Sequence, residues 1–153
     1  MKIALKLVDK EQKPELIPEY ATSGSAGLDL KANIKENIEL KPGESILIDT
    51  GLAVHIGDNG FCGIVVPRSG LGSKHGIVLG NGTGVIDADY QGELKVSLWN
   101  RSDKPFIVEP LMRIAQLLIQ PVVQVTFDLV MDFKHETARA GGGFGSTGIR
   151  NGK

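Results

Sequence analysis

The chain contains one cysteine, Cys62, among 153 residues. An internal disulfide is therefore excluded, and a lone thiol fits a reducing compartment. No Cys/His motif surrounds Cys62, which reads as a small buried hydrophobe. Aromatic residues make up only 5% of the chain, and its one tryptophan, Trp99, reads as core. Charge of one sign is also missing: 17 basic against 18 acidic residues leave a net charge of −1. That balance gives no electrostatic case for nucleic-acid binding. No apolar run reaches the roughly 18 residues that would suggest a membrane span. The opening MKIALKLVDKEQKPE lacks the apolar centre of a secretory leader, so a cytoplasmic location is expected. His55, His75 and His135 lie far apart, without metal-ligand spacing, and read as surface residues. Neither G-x-S-x-G nor a Walker A loop occurs.

What the chain does have is punctuation: 20 glycines and 7 prolines. Between them lie short apolar or alternating runs, many β-branched: ILIDTGLAVHI (46–56), FCGIVV (61–66), ELKVSLWN (93–100), RIAQLLI (113–119) and VVQVTF (122–127). Turn signals separate them at Lys41-Pro42-Gly43, at 57–60 and at 102–105. This spacing predicts an all-β sandwich or barrel in one domain. Helical periodicity is confined to one short turn near Ser69–His75. The triplets starting at Asn81 and Asn100 match the glycosylation pattern and, without a secretory leader, read as chance. From Lys134 onward the composition becomes polar and then glycine-rich. Residues 1–134 are expected to form the β domain and 135–153 a flexible arm.

The tail contains RAGGGFGSTG at 139–148. Ordering such a stretch costs roughly 1–2 kcal/mol of backbone entropy per residue, so it stays disordered or a ligand orders it. Its formal G-x-G-x-x-G match lacks a preceding strand and a following helix and is rejected as a dinucleotide fingerprint. The pieces nonetheless suit a nucleotide. Glycine amides approach phosphate closely, Arg139 can bind phosphate bidentately, Ser146 and Thr147 add hydroxyls, and Phe144 offers a stacking face. The alternative is an inert linker.

Three further stretches carry candidate chemistry. In PRSGLGSKHG (67–76), Arg68 and Ser69 stand where a strand meets a helical turn, as an anion site or a plain cap. In GVIDADYQGEL (84–94), Asp87 and Asp89 would share one face of a strand, and one buried carboxylate could act as a general base. The alternative is a solvated strand edge. Asn81 just upstream could read both a donor and an acceptor on a base edge, or simply open a turn with Gly82. In AGLDL (26–30), Asp29 turns away from Leu28 and Leu30, toward a site or toward solvent. Arg113 and Gln116, three apart on an apparent strand, are expected to face opposite ways.

In this order, AGLDL, PRSGLGSKHG, GVIDADYQGE, RIAQ and the glycine-rich R-x-G-G-G-F-G-S-T-G resemble the five serial motifs of the trimeric deoxyuridine triphosphate nucleotidohydrolases. The likeness runs from about Met1 to Gly148. It implies a β-jelly-roll assembled as a homotrimer with sites at subunit interfaces. The implied reaction is hydrolysis of dUTP to dUMP and pyrophosphate with Mg²⁺ held by the triphosphate, which limits uracil in DNA and supplies dUMP. Asp87 matches the general base. Tyr90 matches the residue under the deoxyribose, where it leaves no room for a 2′-hydroxyl. Asn81 and nearby backbone, Val85 included, match the uracil-reading segment. Arg68, Ser69, Gly70 and Gln116 match phosphate contacts. Asp29 matches an acid that meets the metal through water. Arg139, Phe144, Gly145, Ser146 and Thr147 match the closing arm. No nucleic-acid or membrane partner is implied. Two departures stand out: Ala140, where the arm commonly has glycine after its arginine, and Gly82-Thr83 in place of a more apolar pair. The rival readings are a dCTP deaminase of the same fold, which would look to a glutamate such as Glu93, and a nucleotide-switched binding module.

Overall fold

The computed structural model describes residues 1–8, 11–135, 137 and 139–143. Among the described residues ten strands form in chain order: β1 (Ala4–Leu7), β2 (Leu28–Lys31), β3 (Ile38–Leu40), β4 (Ser45–His55), β5 (Phe61–Pro67), β6 (Ile77–Leu79), β7 (Gly84–Ile86), β8 (Glu93–Asn100), β9 (Phe106–Val108) and β10 (Arg113–Pro121). They build two four-stranded sheets, β1-β4-β8-β6 and β2-β10-β5-β7, and a two-stranded β3-β9 ribbon. Every strand pair is antiparallel. The all-β expectation holds, and the short helical turn lies at Leu71–His75.

Alternation explains the layers. In β8, Leu94, Val96, Leu98 and Asn100 are buried, whereas Lys95 and Trp99 are exposed. The inward residues meet Leu30, Ile48, Ile114 and Leu117 from the other strands in one core. Removing a leucine-sized side chain from water contributes roughly 1.5–3 kcal/mol, so this aliphatic layer dominates the stability. Trp99 is not core. At 38% exposed it sits on the outer face of β8, because inward positions there carry even numbers. Cys62 is only half-buried, at the start of β5. His55, His75 and His135 are exposed, as expected.

Asn100 shows how the core admits a polar group. Its Nδ2 donates to the carbonyls of Leu40 (2.9 Å) and Lys104 (2.7 Å). Its Oδ1 accepts from Ser102 N–H (3.0 Å) and Ser102 Oγ (2.8 Å). The amide's bonding capacity is thus filled inside the protein, so this asparagine does not offer a glycan acceptor.

The run 122–127 forms no strand. After Val122 N–H bonds to Gly60 O at 2.8 Å, the chain leaves the sheet. Phe127 (95%), Leu129 (98%) and Met131 (98%) are almost wholly exposed. The alternation that suggested a strand is there. What is missing is a neighbour, since ladder bonds need a second strand.

Candidate active site

A charged cluster forms where β2, β10 and β5 run side by side. Gln116 is in register with Asp29 on one side and Val66 on the other. The register shifts between Arg113 and Ala115, where Ile114 and Ala115 are buried in succession. Such a bulge inserts an extra residue and resets the alternation. Arg113 and Gln116 therefore reach the same carboxylate instead of facing opposite ways. Asp29 Oδ1 accepts from Arg68 Nε (2.9 Å) and Gln116 Nε2 (3.3 Å), and Oδ2 accepts from Arg113 Nη1 (3.2 Å). Arg68 Nη1 also donates to Arg113 O at 3.4 Å. Strand periodicity alone does not mark Arg113 as a site residue beside Gln116. The available signal was the apolar pair Ile114-Ala115, where strict alternation allows one inward residue.

The Asp29 side chain is 12% exposed, and water screens its pair with the half-exposed Arg113 more than its pair with Arg68. A hydrogen bond to a charged group is worth about 1.5–3 kcal/mol net. Asp29→Asn keeps the shape, removes the charge and turns an NH₂ toward a guanidinium. We expect it to lower Tm by roughly 4–8 °C, about 2 kcal/mol in a chain of this size. Thermal unfolding followed by circular dichroism checks this, and an unchanged Tm would show the cluster to be energetically idle.

A second cluster sits on the connection between β7 and β8. Tyr90 N–H closes a turn on Asp87 O at 3.2 Å, and Gly57 N–H anchors the turn through Ala88 O at 2.9 Å. β7 pairs with β5 whereas β8 pairs with β4 and β6, so 84–94 crosses between the sheets and is not a hairpin. Asp87 and Asp89 are both exposed rather than buried. Asp87 and Tyr90 line one groove together with Val85, Glu93 and Lys95. Asp87 and Asp89 line a neighbouring one with Cys62. At the edge of the first groove Lys95 Nζ bonds Asp49 Oδ1 at 2.8 Å, and that hydrogen bond, with the Asp49 charge, raises the lysine pKa above its ordinary value. Glu93 has a different task from the one a deaminase would give it: its Oε1 accepts Gly51 N–H at 2.8 Å.

Within one chain the two clusters stand apart. Asp87 follows Ile86, which pairs with Gly63 near the start of β5, whereas Arg68 follows the end of that strand. At about 3.3 Å per residue the separation is roughly 20 Å. Ser69 and Gly70 are exposed next to Arg68, and no side chain caps the helical turn they precede. Asn81 is exposed on the link from β6 to β7, and Gly82 there adopts φ +72°, a conformation that suits its glycine.

Residues 13–148 match the dUTPase family model. The chain belongs to the dUTPase family. A deoxyuridine 5'-triphosphate nucleotidohydrolase of Paraburkholderia xenovorans is 55% identical over 148 residues, covering 97% of this chain and 99% of that protein. One of Francisella tularensis subsp. novicida is 56% identical over 149 residues, covering 97% and 100%. The fold is similar to that of the Staphylococcus bacteriophage 80alpha dUTPase with dUPNHPP, at a TM-score of 0.84 and 29% identity, covering 97% of this chain and 99% of that one.

Of the arm expected for a dUTPase, Arg139 is described and exposed, with Nε bonded to Gly142 O at 3.0 Å. Ala140 adopts φ +42°. A left-handed φ costs a non-glycine residue roughly 1–2 kcal/mol, which is the physical content of the departure from glycine at this position. Phe144, Gly145, Ser146 and Thr147 lie outside the described residues. Among the described residues no helix is long and apolar enough to cross a membrane.

Proposed function

We propose that this chain hydrolyses dUTP to dUMP and pyrophosphate by attack of water at the α-phosphorus, with Asp87 as general base. The observation that carries the reading is the turn that presents Asp87 and Tyr90 to one groove, in a chain of the dUTPase family. Tyr90 forms the floor under the deoxyribose. Asn81 and the backbone around Val85 read the uracil edge. Arg68 spends two of its N–H groups on Asp29 and on Arg113 O, and its others remain to meet phosphate with Ser69, Gly70 and Gln116. Phosphoryl chemistry of this kind depends on positioning and charge neutralisation more than on a nucleophilic side chain. Arg139, Phe144, Gly145, Ser146 and Thr147 close over the nucleotide as an arm reaching from about residue 135.

The assembly is a homotrimer with shared sites. A site needs both the Asp87 groove and the Arg68 cluster, and one chain holds them roughly 20 Å apart along β5. A second copy supplies the missing half. The unpaired alternating run from Val123 to Phe133 is the kind of segment that a neighbouring subunit covers.

Mg²⁺ enters with the triphosphate. Among the described residues no group of three or more His, Cys, Asp or Glu could hold a metal ion. Asp29 fits the indirect role: three of its roughly four lone-pair sites are occupied, which leaves one for a metal-bound water. When bound, the cation would neutralise charge on the phosphates.

The test is pyrophosphate release with Mg²⁺ from dUTP, dTTP, dCTP and UTP side by side, with dCTP also assayed for ammonia. Release from dUTP alone is expected. Ammonia from dCTP would favour the deaminase, and dUTP binding without release from any nucleotide would favour a binding module.

A further inference from the structure

The clearance beside Tyr90 depends on a missing side chain. A Cβ built on Gly92 would lie 2.6 Å from Tyr90 Cζ and 3.0 Å from Cε2, too close for either atom to remain where it is. Gly92 is absent from the positive-φ residues, so the requirement is space and not backbone conformation. Over that space the Tyr90 hydroxyl donates to the Glu93 carbonyl at 3.0 Å. The phenol is folded back against its own chain two and three residues on, and Tyr90 also lines the groove shared with Asp87.

Glu93 is itself tied down. Its carboxylate accepts Gly51 N–H at 2.8 Å, and its backbone is in register with Ala53 of β4. Gly51 lies in the register shift between Asp49 and Ala53, with φ +70°. A Cβ there would stand 2.7 Å from Leu16 Cδ1 and 2.8 Å from Asn33 Nδ2. The contacts therefore run unbroken from the core, through the β4 bulge and Glu93, to the phenol.

We propose that Gly92 and Glu93 are positioning residues for sugar selection: together they fix the depth of the Tyr90 ring in its groove, and that depth decides whether a ribose 2′-hydroxyl fits. This rests on the reading of Tyr90 as the floor under the deoxyribose. Excluding one hydroxyl is a matter of placing a surface to within about 0.5 Å, which an exposed tyrosine on a turn achieves only if both faces of its freedom are closed. Gly92 closes one by letting the phenol end approach the backbone, and the Glu93 carbonyl closes the other by holding its hydroxyl. The methyl of Gly92→Ala would displace the ring, break the bond to Glu93 and open the floor. The turn carrying Asp87 would persist, since its closing bond is backbone to backbone.

The experiment is kcat and KM for dUTP and UTP in the wild type, Gly92→Ala, Glu93→Ala, Glu93→Gln, Tyr90→Ala and the Gly92→Ala/Tyr90→Ala pair. Gly92→Ala should lower the dUTP-to-UTP ratio of kcat/KM by about tenfold or more, with kcat for dUTP little changed. Glu93→Ala should lower the ratio in the same sense, and Glu93→Gln, which keeps an acceptor for Gly51, should restore it. In the Tyr90→Ala background Gly92→Ala should have no further effect on the ratio. An unchanged ratio in Gly92→Ala, or an equal fall for both substrates, overturns the inference. If Gly92→Ala does not fold, Tyr90→Phe decides: it removes only the bond to the Glu93 carbonyl, and an unaltered ratio would have the same force. A wild type that hydrolyses both nucleotides equally would overturn the Tyr90 reading itself and this inference with it. One that hydrolyses neither would instead overturn the proposed function.

Discussion

Asp87→Asn is expected to cut dUTP turnover by about a hundred- to ten-thousandfold, the usual weight of a positioned general base. The substitution is nearly isosteric. The turn that holds Asp87 uses its main-chain carbonyl, bonded to Tyr90 N–H at 3.2 Å, so the side-chain change leaves the turn intact. Asp87 is exposed and makes no ion pair among the described residues, so the fold does not depend on it. Binding of dUTP should therefore persist while pyrophosphate release collapses. Equilibrium titration and a release assay on the same preparation separate the two. Near-normal turnover would remove Asp87 from the role of base, and Asp89 in the neighbouring groove would be the next carboxylate to replace.

Truncation after His135 is the second large effect. Loss of the arm should lower kcat by about a hundredfold, because the triphosphate would no longer be held in line for attack. Stability should barely move. The described residues of the segment bond to one another: Ala140 N–H to Thr137 O at 2.9 Å, Gly142 N–H to Arg139 O at 2.9 Å, and Arg139 Nε to Gly142 O at 3.0 Å. None of these bonds reaches a strand of the two sheets. A Tm equal to that of the full chain together with a fallen kcat is the expected pair of results. An unchanged kcat would reduce the arm to a linker, and a large fall in Tm would show that it braces the fold.

Both effects can be anticipated from short motifs, whereas the charged cluster could not be assembled that way. Arg113 and Gln116 are three apart, and strand periodicity sends them to opposite faces. One extra residue at the bulge reverses that conclusion, and a bulge is chosen by how β10 fits between β2 and β5. The same holds for 84–94, whose alternation suggests one strand but whose ends belong to different sheets. Hydrophobicity alone places Trp99 in the core, yet it lies outside because the parity of β8 is set by Leu94, Val96 and Leu98.

The run 122–127 is instructive for the opposite reason. Its period of two is that of a strand, and the chain still forms none there, because pairing requires a partner that one chain does not provide.

The amino-acid sequence by itself determined the all-β class, the main strands β4, β5, β8 and β10, the short turn after Arg68 and the order of the five motifs. These follow from local periodicity, turn chemistry and residue identity, each legible within about ten residues. Only the tertiary structure decided that Asp29 is clamped by two arginines, that Asp87 and Arg68 stand at opposite ends of β5, and that Tyr90 rests on Gly92 beneath the Glu93 carbonyl. Those facts depend on register and on close approach between segments far apart in the chain. Register is set by the packing of whole sheets, and no local pattern encodes it.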